Sequence, residues 1–393
     1  MTKWSVSSFT VKASSGGQSD RVYANGRMQV GVDVYIKAVD DDTKARYTLS
    51  KTELDSIKLV DYNDTSKELH GPWTYTGTKN KYAHSFPASG TSNRAVKATH
   101  LRAAAEDSKS SEDDDAHSLT SAVSVLAVQQ DSSAQCKTYW VSTTKNETKK
   151  VAARIVQGTD SATRNTHDGK TFDSYVSLTG EEPVTYTTSN ISWYREDTAN
   201  GEYDYEWENV LGTWFTAKNK WDQDNYYVTT TTHKLFKADI WQYDTTGLKN
   251  GFQDDKGLAN CYSYFAEDKK NMKLLFIWEY DSEKTTSAGL YREGSVQFLT
   301  GSYGRKAHAR IDITVNQKSN SLTLTRLCID SGDEIWGQFW HYDCGFRLYD
   351  IYGNTGTFKA GYSSTDRNLI EIHDTNPSSD PNTSSSTWKV IKD

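Results

Sequence analysis

The clearest hydrophobic pattern of the chain lies near its start, where apolar and polar residues alternate. The apolar positions of this stretch fall on every second residue: Met28, Val30, Val32, Val34, Ile36 and Ala38. Successive side chains of a β-strand point to opposite faces of its sheet, so this spacing places all of them on one face. The pattern therefore predicts a strand with one face on a hydrophobic core.

Short stretches of the same type recur along the chain and favour an all-β fold. In the first half they cover residues 46–50, 57–62, 72–76 and 81–86, and polar or glycine-containing turns separate them. Strands at a spacing of roughly ten residues are typical of β-sandwiches and barrels. Residues 95–105 fit a helix or a strand equally well. We expect two or three antiparallel β-sandwich domains with little helix.

Three pairs of neighbouring stretches are predicted to form β-hairpins. The pairs are 136–142 with 148–156, 311–315 with 322–324, and 346–350 with 357–359. Gly353 and Asn354 support the last hairpin, because a tight turn needs residues that adopt a positive φ.

Two polar stretches interrupt the strand pattern. Residues 106–117 hold seven charged residues among twelve, which predicts a mobile acidic loop. Residues 157–171 contain two glycines and show no core pattern. We therefore expect an N-terminal sandwich over residues 1–160 and an aromatic-rich C-terminal β region over residues 161–393.

Residues 202–208 alternate acids with aromatic side chains, and they bear most directly on function. As a strand, the stretch places Tyr203, Tyr205 and Trp207 on one face and its carboxylates on the other. Aromatic planes beside carboxylates suit the binding of sugar rings. The same alternation is found in ordinary half-buried strands, whose aromatic face lies in a core, and this is the commoner arrangement.

Two further tryptophans complete the set of candidate ligand-binding residues. Trp214 and Trp221 belong to a region, residues 193–241, that holds five of the twelve tryptophans. Trp221 lies within the polar stretch 218–225, which predicts a turn. We expect Trp207 to be a core residue and Trp214 or Trp221 to be exposed.

The charge and hydropathy of the chain argue against several classes of protein. The net charge is −7 and no basic run exceeds Lys149-Lys150, so we expect no binding to nucleic acid. The most apolar stretch, residues 274–278, is far shorter than the ~20 residues of a membrane-spanning helix. The first residues lack the apolar segment of a signal peptide. We expect a protein made in the cytoplasm, and any release to use a signal-independent route.

No sequence motif identifies a reaction. The chain has no Gly-x-Ser-x-Gly, His-Glu-x-x-His or Walker motif. A glycoside hydrolase needs only two suitably placed carboxylates, and Glu206, Glu279 and Glu334 are flanked by aromatic residues. We predict no catalytic residue, metal ion or cofactor, and keep a glycosidase as the enzymatic alternative.

The cysteines are too scattered for a disulfide scaffold. They are Cys136, Cys261, Cys328 and Cys344. Cys328 and Cys344 form the one close pair, so Cys344 is either a buried thiol or the disulfide partner of Cys328. Zinc binding by these two residues with His341 is less favoured, because no Cys-x-x-Cys spacing supports it.

The segment Val22–Val30 resembles the opening strand of a group of uncharacterised bacterial proteins built from successive β-sandwiches. Residues 172–178 (Phe-Asp-Ser-Tyr-Val-Ser-Leu) resemble the start of their second sandwich. The resemblance implies an architecture of successive sandwiches, and it assigns no functional residue.

Taken with the aromatic stretches, these patterns favour a binding protein that is not an enzyme. The expected partner is a glycan or a glycosylated cell-surface receptor, and the expected setting is a released bacterial effector or toxin. A pore-forming toxin is one alternative, in which Thr- and Ser-rich strands such as residues 226–232 refold into a membrane hairpin. Self-association through strand edges or aromatic patches is another.

Overall fold

A computed structural model describes thirteen segments of the chain. They are residues 3–88, 133–158, 160–209, 211–243, 253–255, 261–267, 271–278, 280, 284–296, 305–330, 344–363, 369–375 and 388–390. The chain divides into two compact units, Met1–Pro183 and Val184–Asp393. The acidic stretch 106–117, the ambiguous stretch 95–105 and the residues Glu279, Glu334 and His341 lie outside the described segments.

The first unit contains ten strands and one short helix among its described residues. They are β1 Trp4–Ala13, β2 Ser19–Tyr23, β3 Val30–Asp40, β4 Arg46–Tyr47, α1 Lys51–Asp55, β5 Lys58–Asp61, β6 Trp73–Thr76, β7 Gln135–Thr143, β8 Thr148–Val156, β9 Thr163–Asn165 and β10 Val176–Glu181. One sheet has the order β1-β3-β7-β6, with β4 paired to β3. The other has the order β2-β10-β8-β5, with β9 paired to β8.

The strand with the clearest sequence pattern is β3, at the centre of the first sheet. Its alternating residues Val30, Val32, Val34 and Ile36 are at most 1% exposed. The pattern predicted this strand because each of these side chains contributes apolar burial on one face. The all-β prediction is confirmed for the whole of the described chain, in which α1 is the one helix.

The predicted hairpin of 136–142 with 148–156 is wrong in its pairing. Both strands form, but β7 pairs with β3 and β6, whereas β8 pairs with β5, β9 and β10 in the other sheet. The connection therefore crosses between the two sheets. Alternation of apolar residues identifies a strand and its buried face, but it does not identify the strand beside it.

The boundary between the two units lies later in the sequence than residue 160, where the sequence pattern places it. The polar stretch 157–171 contains β9, and the chain then continues into β10. Strand β10 pairs in parallel with β2 and antiparallel with β8. These hydrogen bonds make β10 part of the first unit, so the division falls at Pro183/Val184 and not at 160/161.

The second unit contains thirteen strands among its described residues. They are β11 Ile191–Glu208, β12 Trp214–Thr230, β13 Leu235–Tyr243, β14 Gln253–Asp255, β15 Cys261–Glu267, β16 Asn271–Ile277, β17 Lys284–Val296, β18 Arg305–Gln317, β19 Leu322–Asp330, β20 Cys344–Asp350, β21 Thr355–Tyr362, β22 Ile370–Asp374 and β23 Trp388–Val390. An eight-stranded sheet has the order β14-β17-β18-β11-β12-β19-β16-β15. A five-stranded sheet has the order β22-β21-β20-β13-β23.

One core of this unit lies between its two sheets. Tyr226 and Val228 of β12 and Leu324 of β19 pack there with Phe346 and Leu348 of β20. The predicted hairpin of 346–350 with 357–359 is confirmed as β20 and β21, with Gly353 at φ +82° in the turn. The segment 226–232, considered above for membrane insertion, includes the buried end of β12.

The eight-stranded sheet curls on itself and encloses a second core. Strand β18 pairs with β11 only from Tyr205/Ala309 to Trp207/Ala307. Farther along β18, the carbonyl of Thr314 accepts a hydrogen bond from Gln223 of β12 at 2.7 Å, although β11 lies between these strands in the sheet order. Apolar residues of β11, β16, β18 and β19 fill the enclosed space.

The same curling explains a second wrong hairpin. Strands β18 and β19 follow one another along the chain, but β11 and β12 separate them in the sheet. Both β11 and β12 are long, with 18 and 17 residues, and they pair from Ile191/Thr230 to Glu208/Trp214. The stretch 218–225, predicted as a polar turn, lies inside β12. Its polar residues reach the buried part of the sheet: Gln223, Asp224 and Asn225 are 0% exposed.

No helix in the described segments has the length and apolar character needed to span a lipid bilayer.

Candidate functional site

The candidate site lies at the far end of the β11–β12 hairpin. The connection there is fixed by Asn209, whose side-chain oxygen accepts hydrogen bonds from the N–H groups of Leu211 and Thr213, each at 2.9 Å. Gly212 adopts φ +79°, a conformation that favours glycine. The loop is therefore held by its own hydrogen bonds, and it sets the register in which Glu208 lies opposite Trp214.

The two faces of the hairpin end differ in chemistry. Directly opposed residues of antiparallel strands share a face. One face, which we call the charged face, carries Glu202, Asp204, Glu206 and Glu208 of β11, Trp214, Thr216, Lys218 and Lys220 of β12, and His308, Arg310 and Asp312 of β18. The other, the inner face, carries Tyr203, Tyr205, Trp207, Phe215 and Ala217. Trp214 and Phe215 thus project to opposite sides.

Two aromatic residues of the inner face, Tyr203 and Tyr205, belong to the enclosed core. Tyr203 and Tyr205 are 4% and 1% exposed. Tyr205 stacks on Trp207 with 5.3 Å between ring centroids, and Trp207 stacks on Phe215 at 5.7 Å. Trp207 is half-buried against the core. Tyr205 is thus almost wholly buried, Tyr203 reaches a surface cavity described below with only a small part of its side chain, and Trp207 lies partly buried at the border of the core.

Trp221 also packs against this core, through a glycine. Gly201 lies directly opposite it on β11, and a Cβ atom at residue 201 would stand 3.1 Å from Nε1 of Trp221. The indole therefore lies across the backbone of Gly201 and is half-buried. The ring therefore packs on the enclosed core and also lines both cavities described below.

Trp214 is the exposed tryptophan of the candidate set, at 45%. Its ring lies 5.1 Å from that of His308, with 49° between their planes. Nε2 of His308 in turn contacts Oε2 of Glu206. Glu208 is half-buried and forms no hydrogen bond or ion pair with any described residue. We call these four residues, Trp214, His308, Glu206 and Glu208, the apical site.

Sequence reasoning did not identify His308. The residue is brought to the apical site by the pairing of β18 with β11, which joins positions about a hundred residues apart. The local sequence around His308 gives no signal of that pairing. Glu206 and Glu208 both belong to the alternating acids of the sequence, but nothing in the alternation distinguishes Glu206, which contacts a histidine, from Glu208, which has no partner among the described side chains.

Two cavities continue the charged face away from the apical site. The nearer one has a volume of about 430 Å³, and the residues around it are Glu202, Tyr203, Asp204, Glu206, Trp221, His308, Arg310, Ile311 and Asp312. The farther one has a volume of about 390 Å³, and its lining is Asn200, Gly201, Glu202, Lys220, Trp221, Asp222, Cys328 and Asp330. Both are large enough for one or two sugar rings, and acids predominate among their ionisable groups.

A buried ionic network supports the wall of the farther cavity. Arg326 and Asp224 form an ion pair with both side chains 0% exposed. Asp222 also contacts Arg326, and Nε of Arg195 lies 3.0 Å from Asp224. Burial alone lowers the pKa of Arg326, but the sulfur of Cys328 and the two carboxylates outweigh it and raise that pKa. The network therefore remains charged, and it anchors β12 to β19.

The described residues bear on two further points: the state of Cys328 and the presence of a metal site. Cys328 is a buried free thiol, with its sulfur 2.7 Å from Nη1 of Arg326. It is therefore not joined to Cys344, which begins β20 in the other sheet. Within the described segments, no group of three or more His, Cys, Asp or Glu side chains has the geometry to hold a metal ion.

Comparison with known proteins gives little further information. No protein-family model matches the chain, and no curated protein sequence matches it. The C-terminal domain of AspA, an antigen I/II-family protein of Streptococcus pyogenes, is similar at 10% identity with a TM-score of 0.18, over 91% of this chain and 98% of that one. A TM-score this low supports no inference about fold or function.

Proposed function

We propose that this protein binds a glycan, as a lectin-like protein without turnover, and that the apical site is the contact. One relationship carries the proposal: the exposed indole of Trp214 stands directly opposite Glu208, a carboxylate with no partner among the described residues. A carboxylate with no partner among the described side chains can accept hydrogen bonds from a sugar whose ring packs on the open indole beside it.

The four side chains of the apical site can contact both the apolar face of a pyranose ring and the hydroxyl groups at its edge. The apolar face of the ring, made of C–H groups, packs on the indole of Trp214. Hydroxyl groups at the ring edge donate to Glu208 and Glu206, because ionised carboxylates accept hydrogen bonds only. His308 holds Glu206 from the side of β18 and flanks the indole.

The apical site lies on two hydrogen-bonded strands, β11 and β12, which favours ligand binding without a large change of the backbone. Trp214 begins β12 and Glu208 ends β11, so their backbones are fixed by the sheet and by the bonds of Asn209. A preorganised site loses less conformational entropy on binding than a mobile loop. We therefore expect similar backbone positions in the free and bound protein.

A glycan array with three proteins tests the proposal. The wild type, Trp214→Ala and Trp193→Ala are compared; Trp193 lies on the same strand as Glu208 and is 42% exposed, which makes it a matched control. We expect Trp214→Ala to lose binding, Trp193→Ala to retain it, and each change to lower the free energy of unfolding by less than about 1 kcal/mol. Equal binding by the two variants, or no glycan bound by the wild type, contradicts the proposal. Recovery of shortened sugars would indicate a glycosidase.

A second candidate function, contact with a membrane, is favoured by one observation. Leu211 and Phe215 are 85% and 44% exposed at the same hairpin end, with Phe215 on the face opposite Trp214. Exposed aromatic and aliphatic groups of this kind partition into bilayer interfaces. Dye release from phosphatidylcholine liposomes separates the two functions: the glycan proposal predicts no release, whereas a pore former gives release that Leu211→Ser reduces.

A further inference from the structure

A group of polar side chains lies inside the enclosed core, on the inner faces of β12 and β19. Gln223 and Asn225 follow Trp221 at alternate positions of β12, and Thr325 of β19 lies directly opposite Asn225. Gln223, Asn225 and Thr325 are each 0% exposed. Buried polar atoms in proteins almost always have hydrogen-bond partners, so the partner of each atom can be traced.

A chain of hydrogen bonds that begins at Trp278 sets the orientation of the Asn225 amide. The indole N–H of Trp278 can only donate, and it donates to Oγ1 of Thr325 at 2.8 Å. The hydroxyl of Thr325 in turn donates to Oδ1 of Asn225 at 2.6 Å, and Nε2 of Gln223 lies 3.4 Å from the same oxygen. Nδ2 of Asn225 therefore points elsewhere, and it has no hydrogen-bond partner among the described residues.

The amide of Gln223 leaves an acceptor in the same way. Its Nε2 donates to the carbonyl of Thr314 at 2.7 Å, and a carbonyl can only accept, so the nitrogen must lie on that side. Oε1 of Gln223 has no donor in the described part of the chain. The hydroxyl of Thr323, which is 1% exposed and lies on the same face of β19 as Thr325, also has no described partner.

We propose that Gln223, Asn225 and Thr323 bind a water molecule inside the enclosed core. The water accepts a hydrogen bond from Nδ2 of Asn225 and donates one to Oε1 of Gln223, and the hydroxyl of Thr323 is its third partner. An internal water typically has about three such partners, which are otherwise unsatisfied buried groups. This inference is independent of the proposed function.

The three atoms favour water over an ion, because they include both a donor and an acceptor. The N–H groups of Asn225 repel a cation, and Oε1 of Gln223 repels an anion, whereas water both donates and accepts. Gln223 also joins β12 to β18 through the carbonyl of Thr314, although β11 lies between these strands in the sheet order. The water therefore completes the hydrogen bonds of a side chain that holds the curled sheet together.

A crystal structure of the whole chain, at a resolution that shows ordered water, tests the inference directly. We expect electron density for a water molecule within hydrogen-bond distance of Nδ2 of Asn225 and Oε1 of Gln223. No density at this place, or a direct bond from Nδ2 of Asn225 to another protein atom, overturns the inference.

Magnetic relaxation dispersion of water tests the inference in solution, because it counts internal waters that exchange slowly with the solvent. We expect Gln223→Met/Asn225→Leu, which removes both amides, to lower the count by one. The control is Thr230→Val in the same strand, whose buried hydroxyl donates directly to the carbonyl of His233 at 2.6 Å, and it should leave the count unchanged. An unchanged count in a folded double variant contradicts the inference.

Thermal unfolding of Thr323→Val supplies a measurement if the double variant does not fold. Valine has the shape of threonine but lacks the hydroxyl, so the change removes one partner of the water. We expect the unfolding midpoint to fall, as it should in Thr230→Val, which loses a direct hydrogen bond. Removing a buried hydroxyl that has no partner at all leaves the midpoint unchanged or raises it, and that result overturns the inference.

Discussion

The indole of Trp221 lies across the backbone of Gly201, its direct partner on the neighbouring strand. Glycine weakens a strand when it stands alone, and an aromatic side chain laid over it restores buried surface at that point. Trp221 also packs against the enclosed core of the second unit. A change at Gly201 that displaces the indole should therefore lower the stability of this core.

Replacing Gly201 with a branched residue tests this relationship. Gly201→Val places side-chain atoms where the indole packs, and we expect a loss of about 1–3 kcal/mol in the free energy of unfolding, as in other overpacked sites. Urea denaturation followed by tryptophan fluorescence measures it. Gly77→Ala, at a position with no atom within 4 Å of the new Cβ, should change stability little. A Gly201→Val protein as stable as the wild type would show that the contact with Trp221 contributes nothing.

The buried ion pair of Arg326 with Asp224 gives a second prediction. Arg326→Met leaves the buried Asp224 with only the partly exposed Arg195 as a partner, so we expect it to cost about 3–5 kcal/mol in unfolding free energy. The double variant Arg326→Met/Asp224→Leu should recover part of this loss, because no fully buried charge then lacks a partner: Asp222 and Arg195, which lose theirs, are partly exposed. Both are measured by chemical denaturation.

An exposed pair provides the comparison for that prediction. Arg310→Met removes the partner of Asp312, whose pair is 51% and 67% exposed, and we expect a change below about 1 kcal/mol. Equal losses in the Arg310 and Arg326 variants would contradict the role given to the buried network.

A third prediction concerns acid sensitivity of the second unit. Burial lowers the pKa of His233 below its usual value of 6.5, and nearby Asp350 only partly opposes this. The folded state therefore binds fewer protons than the unfolded state in this range. Stability from neutral His233 is fully present above about pH 6.5 and is lost as the pH falls through the lowered pKa.

We expect the urea midpoint to be lower at pH 5 than at pH 7.5, and the drop to be smaller in His233→Asn. Glu196 contributes little to this window, because its pKa is lowered from 4.5: burial raises it, but hydrogen bonds from Lys318 and Tyr227 outweigh burial. If His233→Asn shows the same pH dependence of stability as the wild type, groups other than His233 cause the acid sensitivity.

The sequence predicted where strands form better than it predicted which strands lie side by side in a sheet. Alternation identified β3, because Val32 and Val34 gain burial locally, on one face of one strand. It could not show that β7 and β8 belong to different sheets, or that β11 and β12 separate β18 from β19. Pairing depends on contacts between residues far apart in the chain, which a local pattern does not contain.

The apical site also depends on contacts between residues far apart in the chain, which a local sequence pattern does not reveal. The sequence predicts that Trp214 or Trp221 is exposed, and the polar neighbours of Trp221 favour exposure, but they carry no information about Gly201, which lies opposite Trp221. The polar side chains 222–225 suggested a turn because they are charged or amide groups, but Asp224 is buried by its pairing with Arg326, about a hundred residues away. His308 reaches the site by equally distant pairing.

The central claim is that Trp214 contacts the glycan, and the most direct test is the dissociation constant of Trp214 variants for a glycan that the wild type binds. An aromatic contact contributes about 0.5–1.5 kcal/mol beyond the burial of its surface, which is up to about tenfold in affinity. We expect Trp214→Ala to bind about tenfold or more weakly, Trp214→Phe to keep most of the affinity, and Trp193→Ala to match the wild type. An unchanged dissociation constant in Trp214→Ala would contradict it.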